Sequence, residues 1–308
     1  MITFDAVYKS FGDNVAVSDV SFQAHDREIL VLLGPSGCGK TTTLKMINRL
    51  IEPDAGLLAI DGKDITQEQP EMLRRRIGYV MQHAGLFPHN NVEENIAVVP
   101  GLLGWDKQRT RQRTEILLEK LHLPAEILKR YPHELSGGQQ QRVGIARALV
   151  ADTPVLLMDE PFGALDNITK SNIHAEFKAL DELKQKTIVM VTHDIEEAFD
   201  LADRICLMKE GRIVQAGTPK EMLYAPVNDF VRQFFNRSRL LLEHKVVLLE
   251  DVRRFLPHPE MMLQALGLPW NTSVWAALEK LNAAATSPDH YDQLVQAFSA
   301  FRKTQVSQ

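Results

Sequence analysis

The run Gly34-Pro35-Ser36-Gly37-Cys38-Gly39-Lys40-Thr41 constrains this chain more than any other segment. It fits the pattern Gly, four residues, Gly-Lys and Ser/Thr, with the apolar stretch Glu28–Leu33 before it and the amphipathic stretch Thr41–Leu50 after it. A buried strand, a glycine-rich turn and a helix in that order make a cradle for an anion. Small residues let the backbone curl closely, and its N–H groups converge at the positive end of the helix. In such a cradle Lys40 reaches the β- and γ-phosphates of a nucleotide, and Thr41 offers a hydroxyl to Mg²⁺, a hard cation that prefers oxygen. Cys38 sits between two glycines with no histidine near it in sequence, and it reads as a spacer rather than a nucleophile.

Around this turn the chain alternates between short apolar runs and amphipathic ones. Strands are expected at Ile2–Tyr8, Val20–Ala24, Glu28–Leu33, Gly56–Asp61, Ile77–Met81, Val155–Met158, Thr187–Val191, Ile205–Met208 and Ile213–Gln215, with a hairpin near Glu210–Gly211. Helices are expected at Thr41–Leu50, Lys107–Leu121, Gln139–Val150, Ile168–Lys184 and Ile195–Leu201. Strand–helix alternation predicts an α/β domain with a mainly parallel core sheet, and the short N-terminal connections predict an antiparallel element. After Asn236 the pattern changes: prolines divide the chain, and helices are expected at Glu260–Leu266, Val274–Ala284 and Tyr291–Phe301, with Leu240–Leu249 open between helix and strand. The expected boundaries are therefore 1–235 and 236–308.

Hydrophobic residues at 44% and charged residues at 24% exclude disorder for most of the chain, and a net charge of -5 is no footprint for nucleic acid. Two cysteines make no disulfide framework. No apolar run has the length of a bilayer-spanning helix and the N-terminus lacks a secretory pattern, so a membrane role is expected only through a partner.

Two further segments carry chemistry. Val155-Leu156-Leu157-Met158-Asp159-Glu160 is a buried strand ending in two carboxylates. Asp159 is expected to bind Mg²⁺ directly or through its second shell, and Glu160 to orient an attacking water; phosphoryl transfer needs charge compensation and an in-line nucleophile more than covalent help. Leu135-Ser136-Gly137-Gly138-Gln139 places a natural N-cap and two glycines at a helix start, a second anion-binding element.

With these three segments in this order the sequence resembles the ATP-binding cassette (ABC) ATPase family. The resemblance implies a P-loop NTPase fold: an N-terminal antiparallel β subdomain, a RecA-like parallel core and a helical signature subdomain, here with a small, mainly helical C-terminal appendage. It implies ATP and Mg²⁺ as cofactors. The nucleotide would be held by Phe11, stacked on adenine where the family usually has tyrosine, by Gly34, Pro35, Ser36, Gly37, Cys38, Gly39, Lys40, Thr41 and Thr42, and from a second copy by Leu135, Ser136, Gly137, Gly138, Gln139 and Asp166. Glu160, His193 and Gln82 match the family's catalytic positions, and Thr41, Gln82 and Asp159 its metal positions. Because each ATP in this family lies between the phosphate loop of one cassette and the signature helix of another, a single set of motifs implies a dimer.

The resemblance narrows further. Pro35–Pro53 with its Met46-Ile47-Asn48-Arg49-Leu50 core, Gly85-Leu86-Phe87-Pro88-His89, Tyr131-Pro132-His133-Glu134 and Pro226–Val231 are similar to the ATPases of importers for glycine betaine, choline, carnitine or proline betaine. In length and composition the chain looks like a less typical betaine-importer ATPase of enteric bacteria. Many closer relatives continue into paired CBS domains; the segment after Asn236 is short for such a pair and has few β-branched strands. The implied partners are multi-spanning permease subunits, met near Leu86, Phe87 and Pro88, and indirectly a solute-binding protein, at the cytoplasmic face of a bacterial inner membrane. The cargo meets no residue of this chain in that mechanism, so its identity rests on resemblance alone. The alternatives are the ATPase of another small-solute importer, such as one for polar amino acids, and a soluble ATP-binding switch.

Overall fold

The first two strands pair locally: β1 (Ile2–Phe11) and β2 (Asn14–Ala24) are antiparallel, with Phe4 and Phe22 stacked at 4.4 Å between ring centroids. The computed structural model describes residues 1–82, 84–163, 167–283 and 288–306. β3 (Ile29–Leu33) is apolar at every position and almost wholly buried, which requires cover on both faces. It runs through the glycine-rich turn into α1 (Lys40–Ile47). β4 (Ala55–Ile60), β5 (Lys63–Asp64), α2 (Pro70–Arg75) and β6 (Ile77–Val80) follow. Three helices then intervene, α3 (Val92–Leu102), α4 (Lys107–Lys120) and α5 (Gly137–Leu149), before β7 (Val155–Asp159). α6 (Asn167–Ala179), β8 (Thr187–Thr192), α7 (Ile195–Leu201), β9 (Arg204–Lys209) and β10 (Arg212–Gly217) complete the series.

These strands form two sheets. One is four-stranded in the order β2-β1-β4-β5, antiparallel throughout; the other is six-stranded in the order β10-β9-β3-β8-β7-β6. In the second sheet β9, β3, β8, β7 and β6 run parallel to one another. One apolar core joins them: Phe4, Val20 and Leu58 of the antiparallel sheet and Leu44 and Ile47 of α1 share it with Leu30, Leu32, Leu157 and Val189 of the parallel sheet.

Helix α3 was not expected from sequence. Pro100 and Gly101 near its end dilute the helical pattern, yet its start carries a signal: Asn91 accepts from the Glu94 N–H while the Glu94 carboxylate accepts from the Asn91 N–H. α6 ends at Ala179 rather than Lys184, and a separate 3₁₀ turn spans Leu183–Gln185.

Contacts divide the chain into a unit of Met1–Ala216 and a unit of Gly217–Gln308, so the division falls earlier than the 235/236 boundary expected from sequence. The described residues of the second unit form α8 (Pro219–Tyr224), α9 (Asp229–Asn236), α10 (Arg239–Val246), α11 (Leu249–Val252), α12 (Pro259–Leu266), α13 (Val274–Ala283) and α14 (Pro288–Val306). The stretch left open between helix and strand is helical through Val246, with Leu248 making an isolated bridge to Ser273. This unit has its own core, centred on Val252, Leu266, Leu281, Leu294 and Phe298. Beside it the buried Glu243 lies between Arg239, at 2.8 Å, and Arg302.

Candidate functional site

The order β3-β8-β7-β6 brings four strand ends side by side, and the phosphate loop, Glu160, His193 and Gln82 each follow one of them. Leu33 is level with Thr192, Asp159 with Val191 and Met158 with Val80. The chain therefore emerges on one edge with Gly34 after β3, His193 after β8, Glu160 after β7 and Gln82 after β6. Open parallel sheets bind ligands at this carboxyl edge, where loops diverge from a rigid platform.

The turn between β3 and α1 is shaped by its glycines. Gly39 (φ 101°) is at the N-cap of α1, and a Cβ there would lie 2.3 Å from the Ala16 carbonyl oxygen; Gly37 (φ 80°) faces open space. Any other residue at Gly39 would push the loop off β2, whereas the opening at Gly37 leaves room for a ligand against the backbone. Lys40 is 5% exposed, and its amine donates to the Gly34 oxygen at 2.8 Å and the Pro35 oxygen at 3.0 Å. It makes no ion pair with a described carboxylate. A buried cation held by carbonyl dipoles and a neutral thiol fits an anion, and phosphate oxygens supply one. Cys38 is buried with its thiol pushed up by that burial, and its Sγ lies 3.8 Å from Lys40 Nζ.

A cavity of about 300 Å³ opens over this loop. Phe11, Ser36, Gly37, Gly39, Lys40, Thr41, Thr42 and Glu160 line it, together with Asn14, Val15 and Ala16 of β2. Phe11, 49% exposed, stands at the β1–β2 hairpin with Lys9 Nζ 5.3 Å from its ring, so it offers a free aromatic face. Leu135–Gln139 are not among the described residues lining the cavity.

At the floor, Thr41 Oγ1 donates to Asp159 Oδ1 at 2.9 Å, and Tyr79 Oη donates to Asp159 Oδ2 at 3.5 Å. Burial first, and the Asp159 charge second, push the Tyr79 phenol well above its ordinary range, so it stays a donor. A hydroxyl, a buried carboxylate and the amide of Gln82 are hard oxygen ligands of the kind Mg²⁺ takes while keeping several waters.

Glu160 follows β7 in the left-handed region (φ 46°), its N–H donating to the Val191 oxygen at 2.9 Å. That conformation is costly for a non-glycine residue and turns the carboxylate toward the cavity. Gln82 Nε2 donates to Glu160 Oε2 at 3.1 Å, and His193 Nδ1 lies 3.1 Å from the same oxygen. Three side chains from separate strand ends thus share one carboxylate oxygen.

The Leu135–Gln139 segment makes a helix start of its own. α5 begins at Gly137, two residues before the expected Gln139, so both glycines lie in its first turn. Ser136 Oγ accepts from the Gln139 N–H at 3.3 Å, and the Gln139 side-chain oxygen accepts from the Ser136 N–H at 3.0 Å. Leu135 is buried, Ser136 and Gly137 are exposed, and nothing lies within 4 Å of a Cβ built on Gly137. Asp166 lies outside the described residues.

Sequence reasoning missed two anchors behind the loop after Gln82. Asn95, on α3, is fully buried; it accepts from the Phe87 N–H at 2.8 Å and donates to the oxygens of Phe87, Asn90 and Asn91 at 3.0–3.1 Å. Arg147, on α5, donates to the oxygens of Ala84 and Gly85 at 2.7 and 2.8 Å. No local motif marks either, since each acts only on backbone brought to it by packing. Phe87, Pro88 and His89 remain exposed.

Comparison with known proteins agrees with this geometry. The ABC transporter family model matches residues 17–163. The choline transport ATP-binding protein OpuBA of Bacillus subtilis (strain 168) is 52% identical over 242 residues, 78% of this chain and 64% of that protein. The glycine betaine uptake system ATP-binding protein YehX of Escherichia coli (strain K12) is 52% identical over 240 residues, 78% of each chain. The chain thus spans less than two thirds of the length of relatives such as OpuBA but most of YehX. Among solved structures, the ATP-binding cassette MJ0796, a dimer in a post-hydrolysis state with ADP and Pi, matches with a TM-score of 0.64 and 33% identity over 71% of this chain and 98% of that one. Identity at this level over 78% of the chain, with the phosphate loop and its carboxylates gathered at one edge of the sheet, places the chain in the ABC transporter family, as one of its ATP-binding cassettes.

Proposed function

We propose that the chain is the ATP-hydrolysing subunit of an importer for a small quaternary-amine osmoprotectant, glycine betaine or a related solute. One observation carries the hydrolytic part: Gln82, Glu160 and His193 converge on a single carboxylate oxygen beside a phosphate loop whose lysine has no carboxylate partner among the described residues. The class of cargo is supported by identity of 52% to OpuBA, a choline transport protein, and to YehX, a glycine betaine uptake protein.

In this reading Phe11 stacks on adenine, the Gly34–Thr42 backbone and Lys40 hold the phosphates, and Thr41, Asp159 and Gln82 would hold Mg²⁺. When bound, Mg²⁺ offsets charge on the β- and γ-phosphate oxygens. Glu160, oriented through Oε2 by Gln82 and His193, keeps its other oxygen for the water that attacks in line. The open start of α5, with Ser136 as its cap, covers the γ-phosphate of a second copy. Closure with ATP and opening after hydrolysis then differ in nucleotide affinity, which is what lets hydrolysis move a partner.

That partner is a separately encoded permease at the cytoplasmic face of a bacterial inner membrane, met through Leu86, Phe87 and Pro88 and served by a solute-binding protein. No helix among the described residues is long and apolar enough to cross a membrane.

Uptake of radiolabelled glycine betaine in a strain lacking the gene tests the whole reading. Wild type should restore uptake, and Glu160→Gln should bind ATP and dimerise yet restore none. Restoration by Glu160→Gln would overturn the mechanism; restored uptake of a polar amino acid in place of betaine would overturn the cargo.

A further inference from the structure

The two residues between β8 and α7, His193 and Asp194, are fastened from behind by a closed set of hydrogen bonds. Thr192 Oγ1 donates to Glu197 Oε2 at 2.8 Å and accepts from the Asp194 N–H at 3.0 Å. Asp194 Oδ1 in turn accepts from the N–H groups of Glu196 and Glu197, at 3.0 and 3.3 Å. From α6, Lys170 Nζ reaches Asp194 Oδ2 at 3.0 Å. The backbone on both sides of His193 is therefore held by side chains, while its ring points outward to Glu160.

The buried member of this set is Glu197, 1% exposed. The groups acting on it are the Thr192 hydroxyl of β8, His174 and Lys170 of α6, and Asp194 ahead of its own helix. Its Oε1 has no hydrogen-bond partner among the described residues, and neither has His174 Nε2, although His174 Nδ1 lies 3.5 Å from Asp200 Oδ2. A carboxyl group placed this deep costs several kcal/mol of lost hydration, and a leucine of similar size would pack there without that cost. Packing therefore gives no reason for a carboxyl group, but the hydroxyl it accepts from does.

We propose that Glu197 is a positioning residue that acts through Thr192 to hold His193 against Glu160. The proposal rests on the reading of Glu160 and His193 given above. Glu197 lies behind β8 and meets neither the phosphate loop nor the residues assigned to Mg²⁺. Removing its acceptor frees Thr192 Oγ1, which then no longer fixes the Asp194 N–H, and His193 gains freedom while the nucleotide-holding groups stay in place. Burial pushes the carboxyl up to about 7, with the Thr192 hydroxyl, His174 and Lys170 pulling it down and Asp194 adding to the rise. Its grip on Thr192 is thus a charge-assisted bond above that pH and a weaker neutral one below it.

Steady-state ATPase assays on the full-length chain test this, with Glu197→Ala, Glu197→Gln, Thr192→Val and Glu160→Gln compared from pH 6 to 8. Glu197→Ala and Thr192→Val should lower kcat about tenfold with KM for ATP within about twofold, the size expected from a small misplacement of a reacting group. Glu197→Gln keeps an acceptor oxygen and should recover most of kcat at pH 7 while losing the wild-type activity step near that pH. Unchanged kcat in Thr192→Val, which keeps the shape of the side chain and removes only the hydroxyl, would overturn the proposal, and Glu197→Gln, which keeps both the volume and an acceptor, tests it where either of the other variants fails to fold. So would a glutamine variant no better than alanine, or one that keeps the pH step. Wild-type hydrolysis that survives Glu160→Gln would instead overturn the underlying reading of the site.

Discussion

Thr41 and Asp159, 118 positions apart in the chain, meet through a 2.9 Å hydrogen bond between Oγ1 and Oδ1 at the floor of the cavity. The hydroxyl ends the phosphate loop and the carboxylate ends β7, so the bond ties the two motifs into one ligand set. Asp159→Ala should cut ATPase activity by at least about 100-fold, the scale of losing charge compensation in phosphoryl transfer. It should also abolish the gain in ATP affinity on adding Mg²⁺, read by calorimetric titration with and without the metal.

Lys40 is a buried amine whose only described partners are the carbonyls of Gly34 and Pro35 and the sulfur of Cys38. Lys40→Met keeps the volume and removes the charge. ATP affinity should fall by about 2 kcal/mol, roughly thirtyfold, as for a charge-assisted bond. Thermal stability without nucleotide should hold or rise, because a desolvated charge is gone. A fluorescent ATP analogue and a melting curve read both.

Asn95 satisfies four backbone groups of the loop after Gln82 while fully buried. Asn95→Ala leaves the Phe87 N–H and the Asn90 oxygen without this partner, while the oxygens of Phe87 and Asn91 keep the N–H groups of Asn90 and residue 95, and should destabilise the first unit by about 2 kcal/mol. A lower urea midpoint at unchanged slope is the expected signature. Phe87→Ala, at an exposed side chain, should leave the midpoint nearly unmoved while lowering uptake with the permease.

Glu197 makes stability depend on pH. Its folded pKa, about 7, stands above the ordinary 4.5, so the native state holds an extra proton between those values. Its contribution is complete below about 4.5 and is lost as pH rises through 7, a change of about 2 kcal/mol between pH 5 and 8. Urea unfolding at pH 5 and pH 8 should show that loss in the wild type and much less of it in Glu197→Gln.

Much of the first unit was legible in the chain because its signals are local. Ile29–Leu33 reads as a buried strand from five apolar residues, and the Gly34–Thr41 turn follows from its glycines alone. Ser136 marks a helix start by its own hydroxyl, although the helix begins two residues before the apolar period suggests. Where the signal is mixed, reading fails: Pro100 and Gly101 hid α3, and the short α2, α8 and α9 were missed. The division at Ala216/Gly217 has no composition change to announce it, since it reflects which contacts close and not what residues are present.

What the sequence determined by itself is the set of strand–turn–helix pieces and the chemistry at their ends: a phosphate loop, paired carboxylates, a capped glycine helix start. Strand order it could not decide. Neighbours in a parallel sheet are chosen by long-range packing, and only the order β3-β8-β7-β6 puts Gln82, Glu160 and His193 on one oxygen. The same holds for Asn95, Arg147 and Glu197, whose partners are backbone or hydroxyl groups that any sequence could supply. Such bonds gain their strength from burial, and burial exists only once the chain has folded.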